Sequence, residues 1–111
     1  MPREDEDYLA DMRSYAYRAL DFTEGLSLLD FSQSTLHQYA AFNAIATIGE
    51  AASRISGSIQ QASPAIPWTD IIGMRNRLIH AYYAVNVDIV WNTIQDDLPT
   101  LIAQLEPLLS E

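Results

Sequence analysis

Apolar residues in this chain recur at steps of three and four, and no other feature restricts its fold as much. From about Asp5 to Glu24 the series Tyr8, Leu9, Met12, Tyr15, Ala16, Ala19, Leu20 and Phe22 keeps to helical spacing. The acidic residues Glu4 to Asp7 suit the positive end of a helix dipole. Gly25 stands just past the last periodic turn, where a helix can stop. Leu26 to Phe31 reads as a short apolar link of about one helical turn. A second long helix begins near Ser32 or Ser34, since either hydroxyl can cap its free amides. Its inward face is expected to carry Leu36, Tyr39, Ala40, Ile45, Ile48, Gly49, Ala52 and Ile55. The segment Ala44 to Ala52 is rich in small residues, which let a neighbouring helix or a second chain approach closely. Gly49 costs about 1 kcal/mol relative to alanine inside a helix, and tight packing there would offset that.

Gly57 to Pro67 holds two prolines, a glycine and two serines and reads as the main loop. Pro67 fits the first position of a third helix, where its missing amide hydrogen is no loss. That helix runs from Trp68 to about Tyr82. Asn86 or Asp88 then caps a fourth helix carrying Val87, Val90, Trp91 and Ile94. Pro99 is expected to end or kink it, with Leu101, Ile102, Leu105, Leu108 and Leu109 continuing the apolar stripe. No segment alternates between turns as a strand would. The expected architecture is an all-α, up-and-down bundle of four to five helices, with residues 1–111 forming one domain.

Composition narrows the class of protein. Hydrophobic residues make up 49% of the 111, enough to fold despite the acidity. The absence of cysteine removes disulfides, thiolate metal sites and thiol nucleophiles. The amino terminus lacks the apolar run of a signal peptide, and no stretch approaches the roughly 20 apolar residues of a membrane helix. A soluble cytoplasmic protein with no membrane partner is expected. Fifteen acidic residues against six arginines, with no lysine, give a formal charge of -9. That field opposes long-range attraction of nucleic acid, and no DNA partner is expected. A nucleic-acid substrate would need a local cationic patch or a partner protein.

The chemistry concentrates in Met74 to Tyr83, which carries Arg75, Asn76, Arg77, His80, Tyr82 and Tyr83. On an ideal helix Arg75 and His80 point about 140° apart, but a long arginine can wrap toward the imidazole. Asn76 is four residues before His80 and can hold its ring in one tautomer. Imidazole suits proton transfer near neutral pH, and guanidinium stabilises charge gathering on a phosphate. Such a pair can cleave RNA without metal when the ribose 2′-hydroxyl is the nucleophile. A two-fold dimer would set two clusters side by side. The same spacing also fits a solvated arginine and a satisfied histidine. Arg77 can meet RNA phosphate, a partner protein or only solvent. Glu50 can pair with Arg75 or Arg54 across helices. His37 reads as a surface or packed residue, Trp68 and Trp91 as core anchors, and the tyrosines before Tyr82 as core. With two histidines and no clustered carboxylates, neither a metal nor another cofactor is expected.

The run Arg75-Asn76-Arg77-Leu78-Ile79-His80-Ala81-Tyr82 resembles the HepT-like branch of the HEPN superfamily, whose motif is arginine, four residues, histidine, one residue, tyrosine. Ile48-Gly49-Glu50-Ala51, Ile66-Pro67-Trp68, Gly73-Met74, Val90-Trp91, Asp97-Leu98-Pro99 and Asp7-Tyr8-Leu9 extend the resemblance in order along nearly the whole chain. The resemblance implies a homodimeric helical bundle whose Arg75 and His80 pairs meet in a cleft between subunits. It also implies a metal-independent endoribonuclease, the toxin of a HepT–MntA (type VII) toxin–antitoxin pair, with Arg75 and His80 catalytic. The partner would be an MntA-like minimal nucleotidyltransferase that uses ATP and magnesium to transfer AMP to Tyr82. Relatives often carry an acidic residue between histidine and tyrosine, followed by an aromatic and a glycine. Here those positions are Ala81, Tyr83 and Ala84, and Tyr83 offers a second hydroxyl. The competing class is a noncatalytic helical dimer that docks a minimal nucleotidyltransferase or binds nucleotide.

Overall fold

A computed structural model describes residues 3–109, so Met1 and Pro2 of the acidic start lie outside it. The first rod, α1 (Asp5–Thr23), opens on a reciprocal cap. The Asp7 carboxylate accepts the Glu4 amide at 3.0 Å, and Glu4 returns a bond to the Asp7 backbone. Gly25 follows α1 with φ of 79°, a left-handed conformation that suits glycine. The apolar link becomes a single turn, α2 (Leu28–Ser32), with Ser27 and Asp30 capping each other. The bonds from Ser27 hold the Asp30 carboxyl below its usual range.

Helix α3 (Thr35–Ser53) starts behind Ser34, whose hydroxyl accepts the His37 amide at 3.2 Å. The same hydroxyl meets His37 Nδ1, which accounts for that ring as part of a helix cap. The expected loop contains a short helix, α4 (Gly57–Ala62), pinned by Gln60 to the carbonyls of Ala52 and Ile55. Helix α5 (Trp68–His80) begins at Trp68 as expected, with Pro67 as its cap rather than its first residue, and ends two residues before Tyr82. A 3-10 turn follows at Tyr82–Ala84.

Asn86 caps α6 (Val87–Asn92), accepting the amides of Asp88 at 2.9 Å and Ile89 at 3.3 Å. Asn86→Ala should therefore cost about 1 kcal/mol and lower the melting temperature by about 4 °C. Thermal unfolding followed by circular dichroism checks this; an unchanged midpoint would mean that water replaces the cap. Pro99 does not end the helix. The backbone widens into a π-turn at Thr93–Asp97 and continues as α7 (Leu98–Leu109). The wide turn relieves the clash that Pro99 would make with the carbonyl four residues back, and absorbs its missing donor.

The bundle has four rods: α1, α3, α5 and the continuous α6–π–α7. Helix α3 packs between α1 and α5, and α7 lies along α1. Met12, Phe31, Val90, Ile94 and Leu105 are fully buried, each worth about 1.5–3 kcal/mol of apolar burial. Trp68 is a core anchor, its indole donating to the Ser63 carbonyl at 3.1 Å. Trp91 packs half-buried against Phe31, with ring centroids 5.4 Å apart. Among the described residues there is no strand, and no helix is long and apolar enough to cross a membrane.

One face departs from the sequence pattern. Ile45, Ile48, Gly49 and Ala52 of α3 are buried as expected, as is Ile55 just past its end, but Leu36 and Tyr39 are 77% and 66% exposed. Ala41 and Ala44 turn inward in their place. Tyr17 is also largely exposed, whereas Tyr8 and Tyr15 pack against the core.

Candidate active site on α5

Helix α5 is held against α3 at one unusually close point. A Cβ built on Gly49 would lie 2.2 Å from Arg75 Cβ and 3.0 Å from the Ile71 carbonyl oxygen. Hydrogen in place of a side chain lets the two helices touch there. The same contact delivers Arg75 to the neighbouring residue, Glu50. Arg75 Nη2 donates to Glu50 Oε2 at 3.0 Å, and Nη1 donates to Asn76 Oδ1 at 2.9 Å. Arg75 Nε is buried without a partner among the described residues, while the side chain as a whole stays 28% exposed. The guanidinium is thus gripped on two edges and reaches solvent at its tip.

The 14-residue connection from α3 (54–67) folds back through α4, so α5 runs antiparallel to α3. His80 is the last residue of α5, exposed and free of hydrogen bonds or ion pairs among the described residues. Ala81 ends the helix, and the 3-10 turn presents Tyr82 and Tyr83 edge to face, with centroids 5.9 Å apart. Both rings are mostly exposed, at 72% and 80%. Ile79 adds exposed apolar surface next to His80, and on α3 Leu36 and Tyr39 are exposed as well.

Within one chain, Arg75 is brought to Glu50 and Asn76, and no hydrogen bond joins it to His80. The expected Asn76–His80 bond is not formed, because the Asn76 oxygen accepts from Arg75 instead. Arg77 is exposed and donates only a long contact of 3.9 Å to the Met74 sulfur. It borders a groove of about 500 Å³ between α5 and α7, floored by Ile45, Ile48, Ile71, Leu98 and Leu101. The periodicity did not reveal that groove, which exists because α5 packs on α3 and stands away from α7. Nor did it reveal that Arg54 joins the Glu50 carboxylate together with Arg75 rather than in its stead. Among the described residues no group of three or more His, Cys, Asp or Glu side chains could hold a metal ion.

Comparison with known proteins agrees with the motif and with its surroundings. A family model described as "Ribonuclease HepT-like" matches residues 7–108. A chain named "Probable ribonuclease HepT" from Thermococcus cleftensis is 35% identical over 108 residues, covering 97% of this chain and 98% of that one. "Putative RNase MJ1380" from Methanocaldococcus jannaschii is 28% identical over 104 residues, covering 94% and 95%. "Putative RNase TTE0752" from Caldanaerobacter subterraneus subsp. tengcongensis is 32% identical over 92 residues, covering 83% and 82%. No solved structure matches. With the match running across all four rods and through the whole Arg75 to Tyr82 segment, the chain belongs to the HepT-like ribonuclease family.

Proposed function

We propose that the chain is the toxin of a HepT–MntA type pair, a metal-independent endoribonuclease using Arg75 and His80 in a cleft between two copies. One observation carries this reading: an exposed imidazole ends the helix that also carries a firmly held guanidinium, and the neighbouring Ile79, Tyr82 and Tyr83 leave an apolar patch exposed. A second copy seated on it would cover apolar surface and bring two Arg75–His80 sets together, in the way isologous dimers pair one patch with itself.

The chemistry then needs no group from outside the chain. The ribose 2′-oxygen attacks the adjacent phosphorus, giving its proton to a His80 imidazole. Arg75 stabilises the charge that builds on the non-bridging oxygens. The bond from phosphorus to the 5′-oxygen breaks, and that oxygen takes a proton back from imidazole. A 2′,3′-cyclic phosphate and a 5′-hydroxyl result. Asn76 and Glu50 hold the guanidinium in place.

Silencing follows from the exposure of Tyr82. An MntA-like nucleotidyltransferase would join the Tyr82 oxygen to the α-phosphorus of ATP and release pyrophosphate and a proton. The new phosphodiester brings about one negative charge into a site meant for RNA phosphate, and its bulk blocks entry. Two measurements test the reading. Cleavage of single-stranded RNA should persist in excess EDTA, and co-expression with the neighbouring nucleotidyltransferase should add adenylate mass to Tyr82. RNA left intact by the wild-type chain under all metal conditions would remove the enzyme and leave a docking module. Cleavage abolished by EDTA and restored by magnesium would remove the metal-free mechanism. Adenylate found only on Tyr83 would move the modification by one residue.

A further inference from the structure

Glu50 divides its carboxylate between two helices. Oε2 accepts from Arg75 on α5, while Oε1 accepts Nε and Nη2 of Arg54, each at 3.1 Å. The other arginine–carboxylate pairs among the described residues are one to one: Arg3 with Asp11 and Arg13 with Glu106. Here a single anion is shared by two cations, so the cluster keeps one uncancelled positive charge on a chain of formal charge -9. Stability gives little reason for it. A Glu–Arg pair four residues apart on a helix surface is worth only about 0.3–0.5 kcal/mol. The Arg54 side chain is also 62% exposed, and among the described residues its Nη1 has no hydrogen bond or ion pair.

We propose that Arg54 is a substrate-binding residue, seating the RNA phosphate next to the one held by Arg75, with Glu50 as the bridge that fixes their separation. Two guanidiniums bonded to the two oxygens of one carboxylate lie a short step apart, on the scale of neighbouring phosphates in a strand. Their planar forks match phosphate oxygens. Arg54 caps the end of α3, and through Glu50 it is linked to Arg75, which precedes His80 on α5. In this assignment the RNA strand crosses from Arg54 to Arg75 and on to His80. This local seat lets an acidic chain hold a polyanion that its overall field repels. The assignment rests on the ribonuclease reading, and its test separates the two.

The experiment uses the full chain, a fluorescein-labelled single-stranded oligouridylate, and anisotropy titrations over a range of salt concentrations. Binding is measured in a His80→Ala background, to prevent cleavage, and kinetics in the otherwise unaltered chain. Arg54→Gln should weaken binding about fivefold near 0.1 M salt. It should also make the plot of log affinity against log salt shallower by about 0.7, the share of one single-strand phosphate contact. In the active chain it should raise KM by a similar factor and leave kcat unchanged. Arg54→Lys should keep the wild-type slope, and Arg13→Gln, which breaks a distant pair, should leave the slope alone. An unchanged slope in Arg54→Gln, or an equal loss in Arg54→Lys, overturns the proposal while RNA cleavage by the parent chain stands. A parent chain that neither binds nor cleaves RNA overturns the ribonuclease reading itself.

Discussion

Gly49→Ala should lower the melting temperature by about 10 °C and abolish RNA cleavage, although alanine is the better helix former. Propensity alone favours the substitution by about 1 kcal/mol. Against that stands a methyl carbon 2.2 Å from Arg75 Cβ, where unbonded carbons rest at about 3.5–4.0 Å. The obstructing atoms are a Cβ and a backbone carbonyl, so no rotamer change can clear them. Helix α5 must move outward by more than 1 Å, on the order of the missing separation. Overpacking of this kind typically costs about 1–3 kcal/mol and can exceed that when backbone must shift. A net loss of about 2 kcal/mol corresponds to the stated fall in melting temperature for a domain of this size. The 3.0 Å bond from Arg75 to Glu50 spans the same seam and would be lost with the shift. Gly73→Ala supplies the contrast, since nothing lies within 4 Å of a Cβ built there. It should raise stability by about 0.5–1 kcal/mol. Calorimetry of the two variants, with cleavage measured on the same samples, decides the matter. Equal responses would mean that α3 and α5 do not meet as closely as described.

Much of this geometry was open to reading from the sequence. Residue types at chain punctuation have few alternatives: a glycine free to adopt positive φ at position 25, and hydroxyl or amide caps at Ser34 and Asn86. The small residues around Gly49 likewise announced a close approach. What period cannot say is which apolar residue meets the core and which meets nothing within the chain. Leu36 and Tyr39 fit the helical stripe, yet α3 twists that end of it toward solvent. Pro99 was expected to end or kink the helix; it does not end it, and the irregularity appears as the π-turn just before it, after which the rod continues. Asn76 shows how spacing along a helix leaves competition undecided. It can reach either His80 or Arg75, and the adjacent cation takes its oxygen. Glu50 was expected to choose one arginine, and a carboxylate with two oxygens serves both.

His80→Ala should reduce kcat for RNA cleavage by about 10²–10⁴-fold, the usual worth of a positioned proton-transfer group, while leaving the fold intact. Both halves of that expectation follow from the environment of the ring. His80 is exposed and makes no hydrogen bond or ion pair among the described residues. Its removal should therefore change stability by no more than about 0.5 kcal/mol. A residue with no structural task, on the same helix as a cation that Glu50 and Asn76 hold, is where the proposed mechanism puts its proton transfer. Arg75→Lys should be nearly as damaging, because an ammonium keeps the charge and loses the planar fork. Mixing the two inactive chains tests the cleft directly. If the guanidinium of one copy works with the imidazole of the other, mixed dimers contain an intact set and activity returns in part. Full activity in His80→Ala would end the Arg75–His80 mechanism, whatever the family's other members do.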